Sequence, residues 1–221
     1  TIHDSASASP FPGLPPGIAH YPYALPQQGQ EQGTTQVSIV DAAGNLASYT
    51  ASVETVFGSR HLLAGMVMNN QLTDFSFLPT LQGKPIANRR LPGRRPSSSM
   101  APMMVFRNGE PILALGSPGG RTIPHVLSRV LLASLIWNET PERAVAMPLL
   151  SKRGDTLVVE KDPPLPWPVP VEQLKTADQP IRFQRLGSGT ALLQNIDGRW
   201  YGAADPRREG TALALPRASQ P

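Results

Sequence analysis

Alternation of apolar and polar residues predicts two β-hairpins in this chain. In each one, two runs of alternating or apolar side chains flank a short stretch of turn-forming residues. The runs and turns lie at residues 35–40, 41–45 and 46–53, and at residues 103–106, 107–110 and 112–115. A further apolar run at residues 66–68 predicts a short strand, and we expect this strand and the second hairpin to be buried.

Helical spacing of apolar residues is clearest over residues 121–137. Ile123, Val126, Leu127, Val130, Leu131 and Leu135 recur there at intervals of three and four. Pro124 is compatible with this helix because it falls in the first turn. A second, shorter helix is predicted at residues 142–146, where Thr140 can cap the start and Pro148 ends it.

The remaining apolar pattern predicts four strands and one further helix. These elements are a helix at residues 171–178 and strands at residues 156–160, 181–184, 191–194 and 200–203. Hairpins followed by a long helix and more strands favour an α+β domain of layered sheets and helices. Residues 1–33 contain six prolines without either periodicity, so we expect an extended segment there, preceding a folded domain over residues 34–221.

Composition excludes some classes of function. A hydrophobic content of 40% with 16% charged residues is typical of a folded chain. The net charge of +4 permits anionic partners without selecting one. The cluster Arg89, Arg90, Arg94 and Arg95 has no interleaved aromatic residues, which argues against binding of nucleic acid.

The sequence also argues against a metal site, a reactive thiol and a membrane-spanning segment. The chain has no cysteine, which excludes disulfides, thiolate ligands and cysteine nucleophiles. Its four histidines show no ligand spacing, so neither a metal nor another cofactor is expected. No apolar run reaches the roughly 18 residues of a membrane span, and the polar start does not resemble a signal peptide.

Three polar loops next to apolar strands are candidates for a site. Thr34 follows Gly33 at the start of a strand, and cleavage of that bond would give its hydroxyl a neighbouring α-amine as base. Residues 116–120 place two glycines before the long helix, where backbone N–H groups can bind an oxyanion. Residues 69–74 and 96–100 carry amides, a carboxylate and hydroxyls. Taken singly, each loop is better explained as an ordinary strand start, a tight turn or a polar turn.

Together, the motifs resemble the small subunit of γ-glutamyltranspeptidases in both order and spacing. The resemblance covers residues 34–207 and rests on residues 34–41, 44–45, 57–58, 69–75, 95–102, 116–120 and 201–207. It implies a four-layer αββα fold of the N-terminal nucleophile hydrolase type. It also implies self-cleavage between Gly33 and Thr34, which separates this catalytic domain from the end of a large-subunit region at residues 1–33.

The resemblance also implies a role for each loop in transfer of a γ-glutamyl group from a glutathione-like donor to an amino acid, a peptide or water. The residues implied are Thr34 as nucleophile, Ser52 as its supporting hydroxyl, Gly119 and Gly120 as oxyanion donors, Ser98 and Ser99 for the donor α-carboxylate, and Gln71 and Asp74 for its α-ammonium. The partner it implies is the large subunit of the same precursor, in a periplasmic or secreted location.

One residue departs from the usual pattern of the family. Glu54 stands where many transpeptidases have an asparagine that contacts the α-ammonium, and a carboxylate there also occurs in relatives that use other acyl donors. An acylase or a poly-glutamate transferase therefore remains an alternative. A second alternative is an uncleaved, inactive proprotein, because residues 1–33 still precede Thr34.

Overall fold

The computed structural model describes residues 16–20, 33–153, 156–174 and 180–215. The predicted extended segment at residues 1–33 lies almost entirely outside this range. The contacts between residues divide the chain into two compact units. The first comprises Thr1–Gly33 and Ser52–Ser98, and the second comprises Thr34–Ala51 and Ser99–Pro221. The division into a leading segment and a domain at residues 34–221 stays a prediction.

The structure contains every strand that the periodicity predicts, together with short strands at Leu62–Leu63, Thr80–Leu81, Lys84–Pro85 and Leu150–Arg153 that it does not predict. In chain order the strands are β1 (Thr34–Val40), β2 (Leu46–Ser52), β3 (Leu62–Leu63), β4 (Met66–Val67), β5 (Thr80–Leu81), β6 (Lys84–Pro85), β7 (Met103–Arg107), β8 (Glu110–Gly116), β9 (Leu150–Arg153), β10 (Thr156–Glu160), β11 (Ile181–Gln184), β12 (Ala191–Ile196) and β13 (Arg199–Ala204). The helices are α1 (Ile123–Leu135) and α2 (Pro141–Ala146), with single 3₁₀ turns at Gln71–Asp74, Gly120–Thr122 and Val171–Leu174.

The turns of the two predicted hairpins have the chemistry that their sequences require. Between β1 and β2, the Asp41 carboxylate accepts hydrogen bonds from the backbone N–H groups of Ala43 and Asn45 at 2.9 and 2.8 Å. Between β7 and β8, Asn108 and Gly109 have φ angles of 53° and 86°, as a two-residue hairpin turn of the Asn-Gly type requires. Both hairpin predictions are therefore confirmed.

The core of the second unit lies between a sheet and two helices. The sheet has the strand order β13-β12-β8-β7, and all its neighbouring strands are antiparallel. Leu115 and Leu192 of this sheet pack with Leu127 of α1 and Val145 of α2 in one buried cluster. Each such side chain contributes about 1.5–3 kcal/mol through burial. The helical spacing of apolar residues thus predicted the buried face of α1 correctly.

A smaller sheet of the second unit covers another side of α1. Its strand order is β11-β10-β9, with β10 parallel to β11 and antiparallel to β9. Val126 of α1 packs against Val158 of this sheet and against Leu149 and Leu186 in a second buried cluster. Helix α2 begins where predicted, with the Thr140 side chain accepting a hydrogen bond from the Arg143 N–H.

The β1–β2 hairpin is fixed to the end of the large sheet by its hydroxyls. Ser48 Oγ donates to the Leu115 carbonyl at 2.9 Å, and Ser38 Oγ donates to the Ala191 carbonyl at 3.1 Å. Gln36 lies so close to Gly116 that a Cβ atom at position 116 would overlap its side chain. A side chain at position 116 would therefore require the Gln36 amide to move, and the close approach of Gly116 and Gln36 shows that β8 lies directly against β1.

The first unit is built from short elements. It contains the hairpins β3–β4 and β5–β6 and the 3₁₀ turn Gln71–Asp74, and its buried apolar residues within the described part of the chain are Phe75 and Ile86. The expectation that residues 66–68 are buried is wrong, because Met66 is 65% exposed. A two-residue strand paired only with another two-residue strand has no sheet face with which to cover its side chains.

Two further expectations need correction. The second predicted hairpin is buried only in part, since Leu113 is fully buried whereas Phe106 is 57% exposed. The helix predicted at residues 171–178 is a single 3₁₀ turn at Val171–Leu174, and residues 175–179 lie outside the described residues. Among the described residues, no helix is long and apolar enough to cross a membrane.

Candidate active site

The Gly33–Thr34 junction is held by hydrogen bonds on both sides of Gly33. The Gly33 carbonyl accepts from the Val53 N–H at 2.9 Å and from Ser52 Oγ at 3.4 Å. The Gly33 N–H donates to the Glu54 carbonyl at 2.8 Å. The carbonyl that self-cleavage would attack therefore already faces two donors, one of which is the predicted supporting hydroxyl of Ser52.

Gly33 is also confined by space. A Cβ atom at this position would lie 2.7 Å from a methyl group of Val53 and 2.8 Å from the Thr55 carbonyl oxygen. The latter oxygen belongs to the backbone, so it cannot move aside as the end of a long side chain can. A side chain at residue 33 would thus displace the peptide bond that precedes Thr34.

Thr34 is the first residue of β1 and is buried, with 6% of its surface exposed. Its carbonyl oxygen lies 3.4 Å from a guanidinium nitrogen of Arg208, which donates to it. Further along β1, Gln36 donates to Ser48 Oγ at 3.0 Å and accepts a hydrogen bond from Thr50. Thr34 is thus placed by a strand whose polar side chains are themselves paired. Sequence reasoning missed Arg208, which carries no signal except its place after a family motif.

Gly119 and Gly120 form the sharp turn that joins β8 to α1. Their φ angles are 141° and 55°, a region that favours glycine at both positions. The Gly119 carbonyl accepts from Thr122 Oγ1 at 2.7 Å and from the Thr122 N–H at 3.2 Å. Among the described residues, neither the Gly119 N–H nor the Gly120 N–H donates to another group. Two N–H groups ahead of a helix are thus available to an anion.

Ser99 lies against the same turn. Its hydroxyl donates to the Gly120 carbonyl at 2.8 Å. A serine hydroxyl has only one hydrogen, so Ser99 can donate to a substrate carboxylate only by releasing Gly120. The structure therefore brings Ser99 to the glycine turn but not yet into the predicted carboxylate-binding arrangement.

Two carboxylates and an amide come together in the first unit. Gln71 donates to the Asp74 carboxylate within the 3₁₀ turn, and Thr73 Oγ1 contacts Glu54 Oε2 at 3.5 Å. Burial raises the pKa of Glu54 above its usual value, and the nearby charge of Asp74 raises it further. Burial also raises the pKa of Asp74. A cation beside either carboxylate would lower its pKa again and favour its ionised form.

Glu54 occupies this place at some conformational cost. Its φ angle is 73°, which is unusual for a residue with a side chain, and only 5% of its surface is exposed. The Ser52 hydroxyl accepts a hydrogen bond from the Glu54 N–H at 2.9 Å. The segment from Ser52 to Glu54 thereby links the Gly33 carbonyl to the acidic pair.

Asn88 is a further residue of this unit that sequence reasoning missed. Its side-chain amide donates to the Asp74 carbonyl at 2.5 Å and to Ser97 Oγ at 3.0 Å, and its oxygen accepts from the Ser97 N–H at 3.1 Å. It thus connects the turn that carries Asp74 to the serine loop that includes Ser98. Ser98 itself is exposed.

These placements can be compared with known proteins. The family model of γ-glutamyltranspeptidase matches residues 1–215. The chain belongs to the γ-glutamyltranspeptidase family. A glutathione hydrolase proenzyme of Bacillus subtilis (strain 168) is 29% identical over 210 residues, which are 90% of this chain and 34% of that protein. The acylase ACY 1 proenzyme of Pseudomonas sp. (strain SE83) is 32% identical over 192 residues, covering 85% of this chain and 33% of that protein.

A solved γ-glutamyltranspeptidase structure has the same fold. The enzyme of Pseudomonas nitroreducens, in complex with L-DON, superposes with a TM-score of 0.71 at 29% identity and covers 82% of this chain and 100% of the solved chain. The predicted family and the predicted α+β class with the N-terminal nucleophile hydrolase fold are therefore confirmed. The chain spans about a third of the length of these two curated relatives.

Within the described residues, no group of three or more His, Cys, Asp or Glu side chains is arranged to hold a metal ion.

Proposed function

We propose that the protein cleaves itself between Gly33 and Thr34 and then acts as a γ-glutamyl hydrolase and transpeptidase on glutathione-like donors. The observation that carries this proposal is the Gly33 carbonyl, which accepts hydrogen bonds from the Val53 N–H and the Ser52 hydroxyl next to a buried threonine. Those two donors stand where negative charge would develop if Thr34 attacked that carbonyl.

Self-cleavage would proceed as an acyl shift from nitrogen to oxygen. Thr34 Oγ adds to the Gly33 carbonyl carbon, and the resulting oxyanion is held by Val53 and Ser52. The carbon–nitrogen bond then breaks, and the nitrogen leaves with the proton that the hydroxyl gave up. Water hydrolyses the ester, which releases Gly33 as a carboxylate and Thr34 with a free α-amine.

Turnover would use the same hydroxyl with its new base. The α-amine has an ordinary pKa of about 7.7–8.0, so at neutral or mildly alkaline pH it can take the proton of Thr34 Oγ. The oxygen attacks the γ-carbonyl of the donor, and the N–H groups of Gly119 and Gly120 bind the oxyanion. The donor's amide bond breaks and its nitrogen takes the proton from the ammonium. Water or an acceptor amine then attacks the γ-glutamyl ester and restores Thr34.

The polar loops would recognise the γ-glutamyl donor. Asp74 and Gln71, with Glu54, would bind the α-ammonium, because its charge allows both raised carboxyl pKa values to fall. Ser98 and Ser99 would bind the α-carboxylate, with Ser99 exchanging its bond to Gly120. The family resemblance further supports a large subunit from the same precursor as partner and a periplasmic or secreted location.

Substitution of Gly33 by Ala should slow self-cleavage by about tenfold to a hundredfold. The added Cβ atom meets the Thr55 carbonyl oxygen at 2.8 Å, so the peptide shifts away from Val53 N–H and Ser52 Oγ, and misplacement of about 1 Å can cost roughly a hundredfold in rate. Intact-mass analysis over time measures this rate. Gly187→Ala is the matched control, because the φ of Gly187 lies outside the left-handed region and a Cβ atom there meets only a guanidinium nitrogen of Arg208, at 3.8 Å. Equal cleavage rates for the wild type and Gly33→Ala would contradict the proposed geometry.

The acylase alternative is tested by comparing two donors. Asp74→Asn should lower kcat/KM for a γ-glutamyl anilide on the order of a hundredfold, because a buried charge pair with the α-ammonium is lost. The same variant should use a glutaryl anilide, which lacks that ammonium, about as well as the wild type does. Glu54→Asn places there the asparagine that many transpeptidases use to contact the α-ammonium, so this variant should keep its use of the γ-glutamyl donor. A wild-type protein that prefers the glutaryl donor would instead identify an acylase, the activity named for the Pseudomonas relative.

The function as a whole is tested on the full-length protein. Intact mass and N-terminal sequencing should find a fragment that begins at Thr34, and that preparation should release the chromophore from a γ-glutamyl anilide at mildly alkaline pH. A protein that remains one uncut chain after long incubation would favour the inactive proprotein. Cut protein that releases no chromophore would refute the proposed activity.

A further inference from the structure

Four hydroxyls lie behind the glycine turn and are not used in the mechanism above. Ser117, Ser188 and Thr190 are almost completely buried, with exposed fractions of 0%, 0% and 1%, and Thr122 is 5% exposed. All four belong to the second unit. Burial of a hydroxyl is unfavourable unless it is hydrogen-bonded, so the partners of these four groups decide what they do.

Each hydroxyl carries a single hydrogen, and this decides which group donates in each hydrogen bond. Ser117 Oγ donates its single hydrogen to the Pro118 carbonyl at 2.6 Å and accepts from the Gly189 N–H at 3.3 Å. Its contact with Ser188 Oγ at 3.4 Å must therefore have Ser188 as the donor. Ser188 has then used its own hydrogen, so Thr190 must donate to it across their 3.3 Å contact. The bonds run in one direction, from Thr190 through Ser188 and Ser117 to the Pro118 carbonyl.

The acceptor at the end of this chain of bonds is part of the turn itself. The Pro118 carbonyl and the Gly119 N–H belong to one planar peptide group, so a hydrogen bond to the oxygen fixes the direction of the N–H. Withdrawal of electron density toward that oxygen also makes the N–H a stronger donor, by roughly 10–30% for each bond in such a chain. Ser117 thus acts on the Gly119 N–H without touching it.

The second peptide of the turn has the same arrangement. The Gly119 carbonyl, which shares its peptide group with the Gly120 N–H, accepts from Thr122 Oγ1 at 2.7 Å. A Cβ atom at residue 119 would lie 3.0 Å from that oxygen and 3.1 Å from the Gly187 carbonyl oxygen. Each of the two N–H groups assigned to the oxyanion therefore has a side-chain hydroxyl bound to the opposite end of its peptide.

We propose that Ser117 and Thr122 are positioning residues that orient and polarise the two N–H groups of the oxyanion hole, with Ser188 and Thr190 supporting Ser117. This inference rests on the proposed function, which assigns the oxyanion to Gly119 and Gly120. It predicts an effect on the transition state rather than on donor binding, because the charge on the oxygen develops only as Thr34 attacks.

Thr122 provides the sharpest test, because two substitutions at this residue separate the effect of its hydroxyl from the effect of its shape. Thr122→Val keeps the shape and removes the hydroxyl, whereas Thr122→Ser keeps the hydroxyl. In the full-length protein, Thr122→Val should lower kcat for a γ-glutamyl anilide about tenfold, which is less than the loss of about a hundredfold or more expected when an oxyanion donor is removed outright. KM should stay within about twofold, and Thr122→Ser should restore kcat.

Ser117→Ala should have a similar effect, and the double variant should lose about a hundredfold, because the two hydroxyls act on different peptides. A boronate analogue of the γ-glutamyl group, which forms a tetrahedral adduct with Thr34, should bind more weakly in proportion to the loss of kcat. Ser151→Ala is the control for loss of a buried hydroxyl, since Ser151 Oγ has no partner among the described residues.

Self-cleavage is the internal control for folding, since it uses Val53 and Ser52 rather than the glycine turn. If variants that have been cut retain wild-type kcat and boronate affinity, the inference is refuted. If neither Ser117→Ala nor Thr122→Val self-cleaves, the hydroxyls serve folding and the inference also fails. If the cut wild-type protein itself releases no chromophore, the proposed function fails first, and the assignment of an oxyanion hole fails with it.

Discussion

Replacement of Thr34 by Ala should abolish both self-cleavage and turnover. The side chain of Thr34 supplies the attacking oxygen in both reactions, and no other hydroxyl is attached to the residue that would carry the new α-amine. Loss of a covalent nucleophile in a site that works as a unit reduces turnover by about 10⁴-fold or more. Intact-mass analysis should therefore find one uncut chain, and release of chromophore from a γ-glutamyl anilide should fall to background.

Two neighbouring variants make this experiment specific. Thr34→Ser keeps a hydroxyl on the same atom and should retain both reactions at reduced rates. Thr35→Ala removes the next hydroxyl along β1, which is exposed, and should behave as the wild type. Substantial turnover by Thr34→Ala, or a fragment that begins at any other residue, would show that the nucleophile is elsewhere.

Replacement of Arg207 by Met should lower the free energy of unfolding by about 3–5 kcal/mol, the usual loss when one partner of a buried ion pair is removed. The Arg207 guanidinium donates to both oxygens of Glu160 at 2.5 and 2.7 Å and to Asp205 Oδ1 at 3.0 Å. It also donates to the Val145 and Met147 carbonyls at 3.0 and 2.9 Å. The side chains of Arg207, Glu160 and Asp205 are 6%, 3% and 0% exposed.

The loss arises because two buried carboxylates would remain. Methionine can fill much of the volume of arginine, but it cannot compensate the charges of Glu160 and Asp205. Arg129 is the nearest substitute, and burial together with the positive charge of Arg207 lowers the pKa of Arg129 to about 10. Removal of Arg207 should raise that pKa and recover a part of the loss, so Arg129→Met with Arg207→Met should destabilise more than either change alone.

Urea denaturation of the cut protein measures this effect, with Arg143→Met as its matched control. Arg143 forms a 2.6 Å ion pair with Glu139, but its side chain is 59% exposed. An exposed pair of this kind contributes at most about 1 kcal/mol. A loss as small for Arg207→Met as for Arg143→Met would contradict the assignment of the buried network to stability.

Some features of the candidate site could be read from the sequence because their signals are local. The strand that carries Thr34, the glycine turn before α1 and the turn Gln71–Asp74 each lie within a few consecutive residues. The motifs also occur in the order of the γ-glutamyltranspeptidase family, which the match over residues 1–215 confirms. The roles of the individual residues stay predictions.

Other features depend on partners that are far apart in the chain. Ser117 and Ser188 are 71 residues apart, and Arg208 is 174 residues from the Thr34 carbonyl that it contacts. Asn88 joins Asp74 and Ser97 although nothing in its neighbourhood marks it as important. The expectation from the sequence that residues 66–68 are buried was wrong, because an apolar run is buried only where a larger element covers it.

The sequence by itself determined the family, the hairpins and the long helix, because periodicity, turn chemistry and motif order are properties of neighbouring residues. Only the tertiary structure decided which hydroxyl and guanidinium hydrogens are already donated to other groups of the protein. It assigned the Ser99 hydroxyl to Gly120, gave both peptides of the glycine turn a hydroxyl at their carbonyl ends and enclosed Arg207 between two carboxylates. The physical reason is that a hydroxyl or a guanidinium acts according to its partners, and packing alone brings those partners together.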